Sequence, residues 1–367
     1  MAPKVYFTDF CTSMTENLPQ KLSRLVLTAG LDQIDFQDKF VAIKIHFGEL
    51  GNMAHLRSRY ARVIVDLIKD LGGKPFLTDA NTLYVGSRKN ALDHIETAYL
   101  NGFTPYTTGC HILIADGLKG TDDVAVPVEG GEYVKEAKIG RAIMDADIVI
   151  SLTHFKGHEG TGFGGALKNL GMGSGSCAGK KEMHDTCQPV VDRDVCIACG
   201  ACADHCAHGA PNLVDGAMHI DLNKCAGCGR CINVCPVKAI SSSDSRSNEI
   251  LNYKIAEYAK AVVDGRPHFH ISLVRDVSPC CDCHPENDYP IVPDVGMFAS
   301  FDPVALDLAC AEAVLKMPPL PGGMTAKVNR PDLDHFTANY PVTTWRGQID
   351  HGKKIGLGEN SYELVTI

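Results

Sequence analysis

Apolar and polar residues come in alternating blocks through the first 185 residues. Val5 to Asp9, Phe40 to Phe47, Pro75 to Ala80, His111 to Asp116 and Asp147 to Leu152 are short apolar runs that read as strands, several apolar enough to be buried on both faces. Between them, Leu56 to Leu71 places apolar side chains at positions 60, 63, 64, 67, 68 and 71, a helical stripe closed by Gly72 and Gly73. Lys89 to Asn101 repeats the scheme and stops at Gly102. Strand, helix and strand in this order imply right-handed crossovers and a mostly parallel sheet with helices on both faces.

From Cys187 to Ser241 the pattern breaks into Cys, Ala, Gly and Asp with no long helix. After the polar stretch Ser241 to Asn248, a helix near Glu249 to Val263, a strand near His268 to Val274 and a helix near Pro303 to Leu315 resume the earlier alternation. The roughly 125 residues after Ser241 hold too few strands for a sheet of their own. The pattern therefore predicts an α/β host made of residues 1–186 and 242–367, with residues 187–241 inserted as a small bacterial-ferredoxin-like α+β domain.

Composition narrows the classes. A chain of 367 residues that is 45% hydrophobic can bury a large core, and a net charge of -9 leaves no broad basic surface for nucleic acid. No run of 18 apolar residues spans a bilayer, and the N-terminal MAPKVYFTDF lacks a signal-peptide layout, so a cytoplasmic protein without a membrane partner is expected. Sixteen cysteines in such a chain read as metal ligands in a reducing compartment, in a cell that avoids oxygen.

Eight of those cysteines form two identical runs: Cys196, Cys199, Cys202 and Cys206, then Cys225, Cys228, Cys231 and Cys235. The second is displaced by 29 residues at every ligand. Three closely spaced thiolates wrap one cube and the fourth reaches the neighbouring cube, the spacing of a two-cluster ferredoxin. The expected cofactors are two 4Fe-4S clusters, one on Cys196, Cys199, Cys202 and Cys235, the other on Cys225, Cys228, Cys231 and Cys206. Zinc sites pair thiolates two to four residues apart and draw a second pair from far away, so this spacing favours iron. Cys235 is followed by Pro236 as the ferredoxin pattern expects, whereas Cys206 is followed by Ala207, which alters local stiffness and a potential but not ligation.

Outside these runs the richest segment is Ser151 to Gly175, at the carboxyl end of a predicted strand, where open α/β sheets place ligands. It carries eight glycines, whose amides suit an anionic small molecule, with Lys168 at the start of a short helix. Gly162, Gly164, Gly165 and Lys168, together with Lys44 and His46 at another strand end, are candidate cofactor-binding residues. His154, His158 and Lys168 are candidate catalytic residues, with Lys156 and Glu159 close by. Cys280, Cys281, Asp282, Cys283 and His284 form a second cluster, in which Cys281, Cys283 and His284 are candidate ligands of a third metal or cluster. Glu49, Asp79, Asn81, Tyr84 and Arg88 also fall at strand ends and suggest a shared polar pocket. Cys11, Cys110 and Cys310 read as small buried hydrophobes.

The strings KIHFGE (Lys44 to Glu49), TDANTLYVGSR (Thr78 to Arg88), THFKGHEGTGFGGALKNLGMG (Thr153 to Gly173), KKEMH (Lys180 to His184), CDCH (Cys281 to His284) and VGMFASFDPVALD (Val295 to Asp307), with the double cysteine run, cover nearly the whole chain. In them the chain resembles the bacterial and archaeal "Fe-S center" proteins, a domain of unknown function that often carries a two-cluster ferredoxin insert. That resemblance implies the clusters and no reaction. His158, Gly162, Phe163, Gly165 and Lys168 are also similar to the H-x3-G-F-x-G-G-x-K segment of nickel-pincer lactate racemases, departing from it at Ala166. This local likeness implies an anchoring role for Lys168 and an acid/base role for His158.

Two functions fit the sequence. One is a low-potential oxidoreductase in which the clusters exchange electrons with an anionic substrate, cofactor or metal site in the α/β host. The other is an electron-carrier module that docks on partner oxidoreductases without a catalytic site of its own.

Overall fold

The computed structural model describes residues 2–367. Its centre is an eight-stranded sheet. The strands are β1 (Lys4–Thr8), β2 (Phe40–Lys44), β3 (Lys74–Asp79), β4 (Ile112–Ile114), β5 (Ile148–His154), β6 (His268–Val274), β7 (Gly296–Ser300) and β8 (Glu363–Thr366). They lie in the order β8-β1-β7-β6-β5-β2-β3-β4. All neighbours are parallel except β7, which runs antiparallel to both β1 and β6. Five strands precede Cys187 and three follow Ser241, so one sheet draws on both ends of the chain.

Alternation along β5 shows how the sheet divides its surroundings. Ile148, Ile150 and Leu152 join one apolar core, with the helices α1 (Leu18–Thr28), α2 (Ser58–Asp70) and α3 (Ala91–Leu100). Val149 faces the other core, with α4 (Ala166–Ser174), α6 (Ser247–Val263) and α7 (Pro303–Lys316), while α5 (Cys177–His184) contributes Met183 to it. The sheet is thus buried on both faces, which is why its central strands are continuous apolar runs.

The helical stripe of α2 has the expected period and a different phase. Its buried face is Tyr60, Ala61, Ile64, Val65 and Ile68, while Val63, Leu67 and Leu71 are half-buried. Ala61 and Val65 join the buried face in place of Val63 and Leu67, and Arg62 and Asp66 pair at 2.7 Å on the exposed side. Strand β7 (GMFAS) and the helix α1 carry weaker signals. Asn17 caps α1 by accepting from the Gln20 amide, and the Gln20 side chain returns the bond to the Asn17 amide. Cys110 and Cys310 are buried as expected, but Cys11 is exposed, because the chain has by then left β1 and turned into a surface loop.

Residues 187–241 make only short pieces: antiparallel pairs of Pro189–Val191 with Ile240–Ser242 and of Pro211–Val214 with Ala217–Ile220, and single-turn helices at Ala201–Asp204 and Arg230–Asn233. The sequence displacement reappears in the backbone. Left-handed Ala198, Gly200 and Gly209 correspond to left-handed Gly227, Gly229 and Lys238. Cys202, Ala210, Met218, Ile220 and Ile240 are the buried core of this segment, and Cys196, Cys206, Cys225, Cys231 and Cys235 pack around them.

Candidate functional site

Parallel strands β2, β3 and β5 end near one another on polar residues. Lys44 closes β2, Asp79 closes β3 and His154 closes β5. The Lys44 ammonium is 2.8 Å from Asp79 Oδ1 and donates to Asn169 Oδ1 at 2.8 Å. Arg88 lies between Glu49 (3.1 Å) and Asp79 (3.4 Å) and donates to the Tyr84 hydroxyl at 2.6 Å. These charges are almost fully buried, a placement tolerated only because each has a partner. Burial, partly offset by Asp79, lowers the Lys44 pKa to about 8. Burial would raise that of Asp79, yet Lys44 and His94 hold it well below the usual range. His46 accepts from the Gly48 amide at 3.0 Å, and burial together with Arg88 keeps it neutral.

Beside this pocket, Cys281 to His284 form a turn closed by the His284 amide on the Cys281 carbonyl at 2.9 Å. Fully buried Asp282 clamps its centre, 2.9 Å from His154 Nδ1 and 3.3 Å from Lys156 Nζ. The Asp282 carbonyl also accepts from the Glu49 amide at 2.8 Å. His154 directs its other nitrogen at the Arg275 carbonyl, 2.8 Å away. Both of its nitrogens are therefore spent on positioning the turn.

Two thiols flank the clamp. A ring nitrogen of His158 and the sulfurs of Cys281 and Cys283 all lie within 4.8 Å of one another. Lys168 donates to Cys281 Sγ at 3.4 Å. A shared hydrogen bond between the two thiols pushes the pKa of Cys281 up and holds that of Cys283 well below the ordinary thiol range. Burial would discharge Lys168, but the two sulfurs keep it an ammonium. Burial pushes His158 down to about 4. Its Nδ1 accepts from the amides of Gly160 (3.0 Å) and Thr161 (3.1 Å), which places the proton of the neutral ring on Nε2. His284 points Nε2 at Glu159 Oε1, 2.7 Å away, and receives Arg230 Nη1 on Nδ1. Burial opposes charge on this ring, but Cys283 and Glu159 outweigh it and raise its pKa to about 12.

The glycine-rich loop folds into a hairpin of Lys156–His158 with Gly162–Gly164, followed directly by α4. At Gly164 a Cβ would come within 3.2 Å of Lys156 and 3.4 Å of Lys168, so the missing side chain lets both lysines run past. The first amides of α4 do not await an external anion. Those of Ala166 and Leu167 donate to Asp307 at 2.7 and 2.8 Å, and a Cβ on Gly165 would lie 2.3 Å from that carboxylate. Gly162, in the left-handed region, packs against Trp345.

In the cysteine-rich segment, Cys196, Cys199, Cys202 and Cys235 line one small cavity, with Ile197, Met218 and Val237. Amides aim at the sulfurs: Met218 to Cys196 at 3.5 Å, Gly227 to Cys225 at 3.3 Å and Ala239 to Cys235 at 3.2 Å. Burial first, then Cys225 and Cys206, raise the pKa of Cys228, so Cys206 belongs to its surroundings. Four thiols from both runs around one cavity, with N–H donors on sulfur, suit a cuboidal iron–sulfur cluster with crossed ligation. The second run lies against the host. Arg230 reaches His284, and a Cβ on left-handed Gly227 would be 2.2 Å from the His184 carbonyl. His208 pairs with the Leu83 carbonyl at 2.8 Å.

Of the residues singled out in the sequence, His154, His158, Lys168, Cys281, Cys283 and His284 converge, and Lys44 and His46 line the adjoining pocket. His158 groups with both sulfurs, while His284 lies beside Cys283 and also faces Glu159 and the cysteine-rich segment. Asp282 and Lys156, noted in the sequence without a role of their own, hold the site together with Asn169 and Arg230, which were not singled out. The first three sit within motif strings already recognised; Arg230 occupies a variable position of the cysteine run, with no local signal.

A family model described as a domain of unknown function (DUF362) matches residues 41–312, across the sheet, the site and the cysteine-rich segment. The chain belongs to this family. A curated ferredoxin from Pyrobaculum islandicum is 41% identical over 61 residues, 16% of this chain and 57% of the ferredoxin. The match thus spans little more than half the length of that relative. Among solved structures, the lactate racemase apoprotein from Thermoanaerobacterium thermosaccharolyticum is similar over 71% of this chain and 45% of its own, with 10% identity and a TM-score of 0.36. A protein from Thermotoga maritima is similar over 84% of this chain and 59% of its own, with 13% identity and a TM-score of 0.41.

Proposed function

We propose that this chain is an iron–sulfur redox protein whose 187–241 domain, inserted in an α/β host of residues 1–186 and 242–367, exchanges electrons with the Cys/His/Lys cleft of that host. Cys196, Cys199, Cys202 and Cys235 would hold one 4Fe-4S cluster, and Cys225, Cys228, Cys231 and Cys206 the other. Each cluster, when bound, takes up or releases single electrons at a potential tuned by N–H donors on sulfur and by exposure. The observation that carries the reading is the contact of Arg230, inside the second cysteine run, with His284 at the edge of the cleft. It ties the electron-carrying end of one domain to the titratable groups of the other.

Within the cleft, Lys168 keeps a positive charge beside sulfur and His158 presents an Nε2 proton. Lys44 and Arg88, buried beside it, are already paired with Asp79 and Glu49, which leaves Lys168 as the cation for an anionic substrate or cofactor. The opposite end is suited to a partner. Ile197 and Val237, on the rim of the first cavity, are 60% and 36% exposed, and Cys199 is exposed as well. Apolar residues around an accessible cluster favour docking of a redox protein there. This also supports the second reading, an electron carrier serving partner oxidoreductases.

The test is anaerobic purification with metal counting and spectroscopy. About eight irons per chain are expected, falling to about half in Cys228→Ser, with both clusters reversibly reducible. Zinc in place of iron would sink the reading. Lys168→Ala and His158→Ala should keep the iron while changing the binding of small anions; unchanged binding in both would remove the cleft from the proposal.

A further inference from the structure

We propose that Cys281 and Cys283 are a redox-active dithiol/disulfide pair that gathers single electrons into an electron pair beside the cleft. The proposal rests on the electron-transfer reading above and adds the group that receives the electrons. Three features of the site lead to it.

First, the two cysteines occupy positions one and three of a turn closed by the His284 amide on the Cys281 carbonyl, and their sulfurs lie within 4.8 Å. Such a turn keeps the two Cα atoms close, within the separations disulfides bridge. Second, Asp282 between them is anchored by His154, Lys156 and the Glu49 amide. The backbone of the pair is thereby held while its side chains rotate. Third, the Lys168 ammonium rests on Cys281 Sγ, where it offsets the negative charge that arrives when a disulfide is opened.

The same atoms invite comparison with a metal site of one imidazole and two thiolates. The imidazole argues against it. A metal on His158 Nε2 needs the ring proton on Nδ1, facing an acceptor, but Nδ1 faces two amide N–H groups. His284 has its nitrogens committed to Glu159 and Arg230. Two thiols without a third free ligand are better suited to forming a bond with each other.

The reaction balances within the protein. The S–S bond accepts two electrons, delivered singly by the iron–sulfur segment, and breaks; one proton from solvent is taken up and shared between the sulfurs, and the remaining negative charge stays beside Lys168. Cys283 is half-buried and Cys281 fully buried, so Cys283 is the sulfur that an external two-electron acceptor can reach.

The test uses the whole protein under anaerobic conditions. Samples oxidised with thionine or reduced with dithionite are acid-quenched, unfolded, alkylated and digested, and the peptide from Asp276 to Lys316 is weighed. Cys281 and Cys283 should be unlabelled and joined in the oxidised sample and both labelled in the reduced one. Reductive titration should consume about four electrons per chain in the native protein and about two in Cys283→Ser, with iron unchanged. Equal labelling in both states, with clusters present and reducible, overturns the dithiol while leaving the electron-transfer reading intact. A non-iron metal equimolar with the chain and lost in Cys283→Ser also overturns it. Absence of iron would instead overturn the reading on which the dithiol rests.

Discussion

The eight-stranded host and the cysteine-rich segment are stabilised by different means. The host buries both faces of its sheet under long helices, with Ile, Val, Leu and Phe side chains at near-zero exposure in two large cores. Residues 187–241 bury five apolar residues as a core and surround them with the cysteines of the two runs. Five buried apolar residues are a small core for a segment of that size, and the proposed function makes it depend on what its thiolates bind. The difference teaches where each region draws its stability: from apolar packing in one and, under the proposed function, from coordination in the other.

The strongest way to break the comparison is to remove iron. Chelation after oxidative cluster loss should abolish amide-exchange protection across residues 187–241 and leave that of β5 and β6 standing. Loss of both together, by hydrogen exchange and mass spectrometry, would show that the host also depends on the clusters.

Next in size is the buried clamp. Asp282→Ala strands His154 and Lys156 without their carboxylate and should cost about 3–5 kcal/mol in denaturant unfolding of the host. A change below about 1 kcal/mol would mean that the turn is held by its backbone alone.

A smaller effect concerns pH. The folded pKa of His158, about 4, lies below its ordinary value of 6.5. Between those values the unfolded chain binds more protons, so stability is lost as pH falls through about 6.5 and levels off near 4. His158→Gln should lessen the loss between about pH 7 and pH 5 by on the order of 1 kcal/mol. An identical pH profile for the two proteins, by chemical denaturation, would place the titration elsewhere.

The smallest effect lies within the repeat. Exposed Lys238 occupies the left-handed position that Gly209 fills in the other half. Lys238→Gly should relieve about 1 kcal/mol of backbone strain, raising the midpoint of thermal cluster bleaching. A lower midpoint would show that the lost side chain matters more than the strain.

Much of the host was legible because its central strands are buried on both sides. Val41 to Ile43 and Ile148 to Ile150 are unbroken apolar runs, whereas β6 interleaves His270 and Ser272 with its apolar residues. Strand β7 was harder to see: a five-residue run beginning with glycine has little period to measure, and its antiparallel place between β1 and β6 depends on partners far along the chain. The phase of α2 was decided by which of several apolar rows met the core: Ala61 and Val65 are buried while Val63 and Leu67 are half-buried. Lys168 and His158 stood out through unusual neighbours. Asp282 did not, since beside two cysteines a carboxylate looks like a spacer until His154 and Lys156 are folded against it.

By itself the sequence determined the cysteine spacing, the 29-residue repeat and the apolar runs of the central strands, because these are local properties carried by consecutive residues. Tertiary structure decided which charges neutralise one another at the strand ends, that Asp307 rather than an external anion fills the start of α4, and that Arg230 touches His284. Those outcomes depend on burial and on pairings across more than 50 residues of chain, where partners separated in sequence are brought into a common low-dielectric interior.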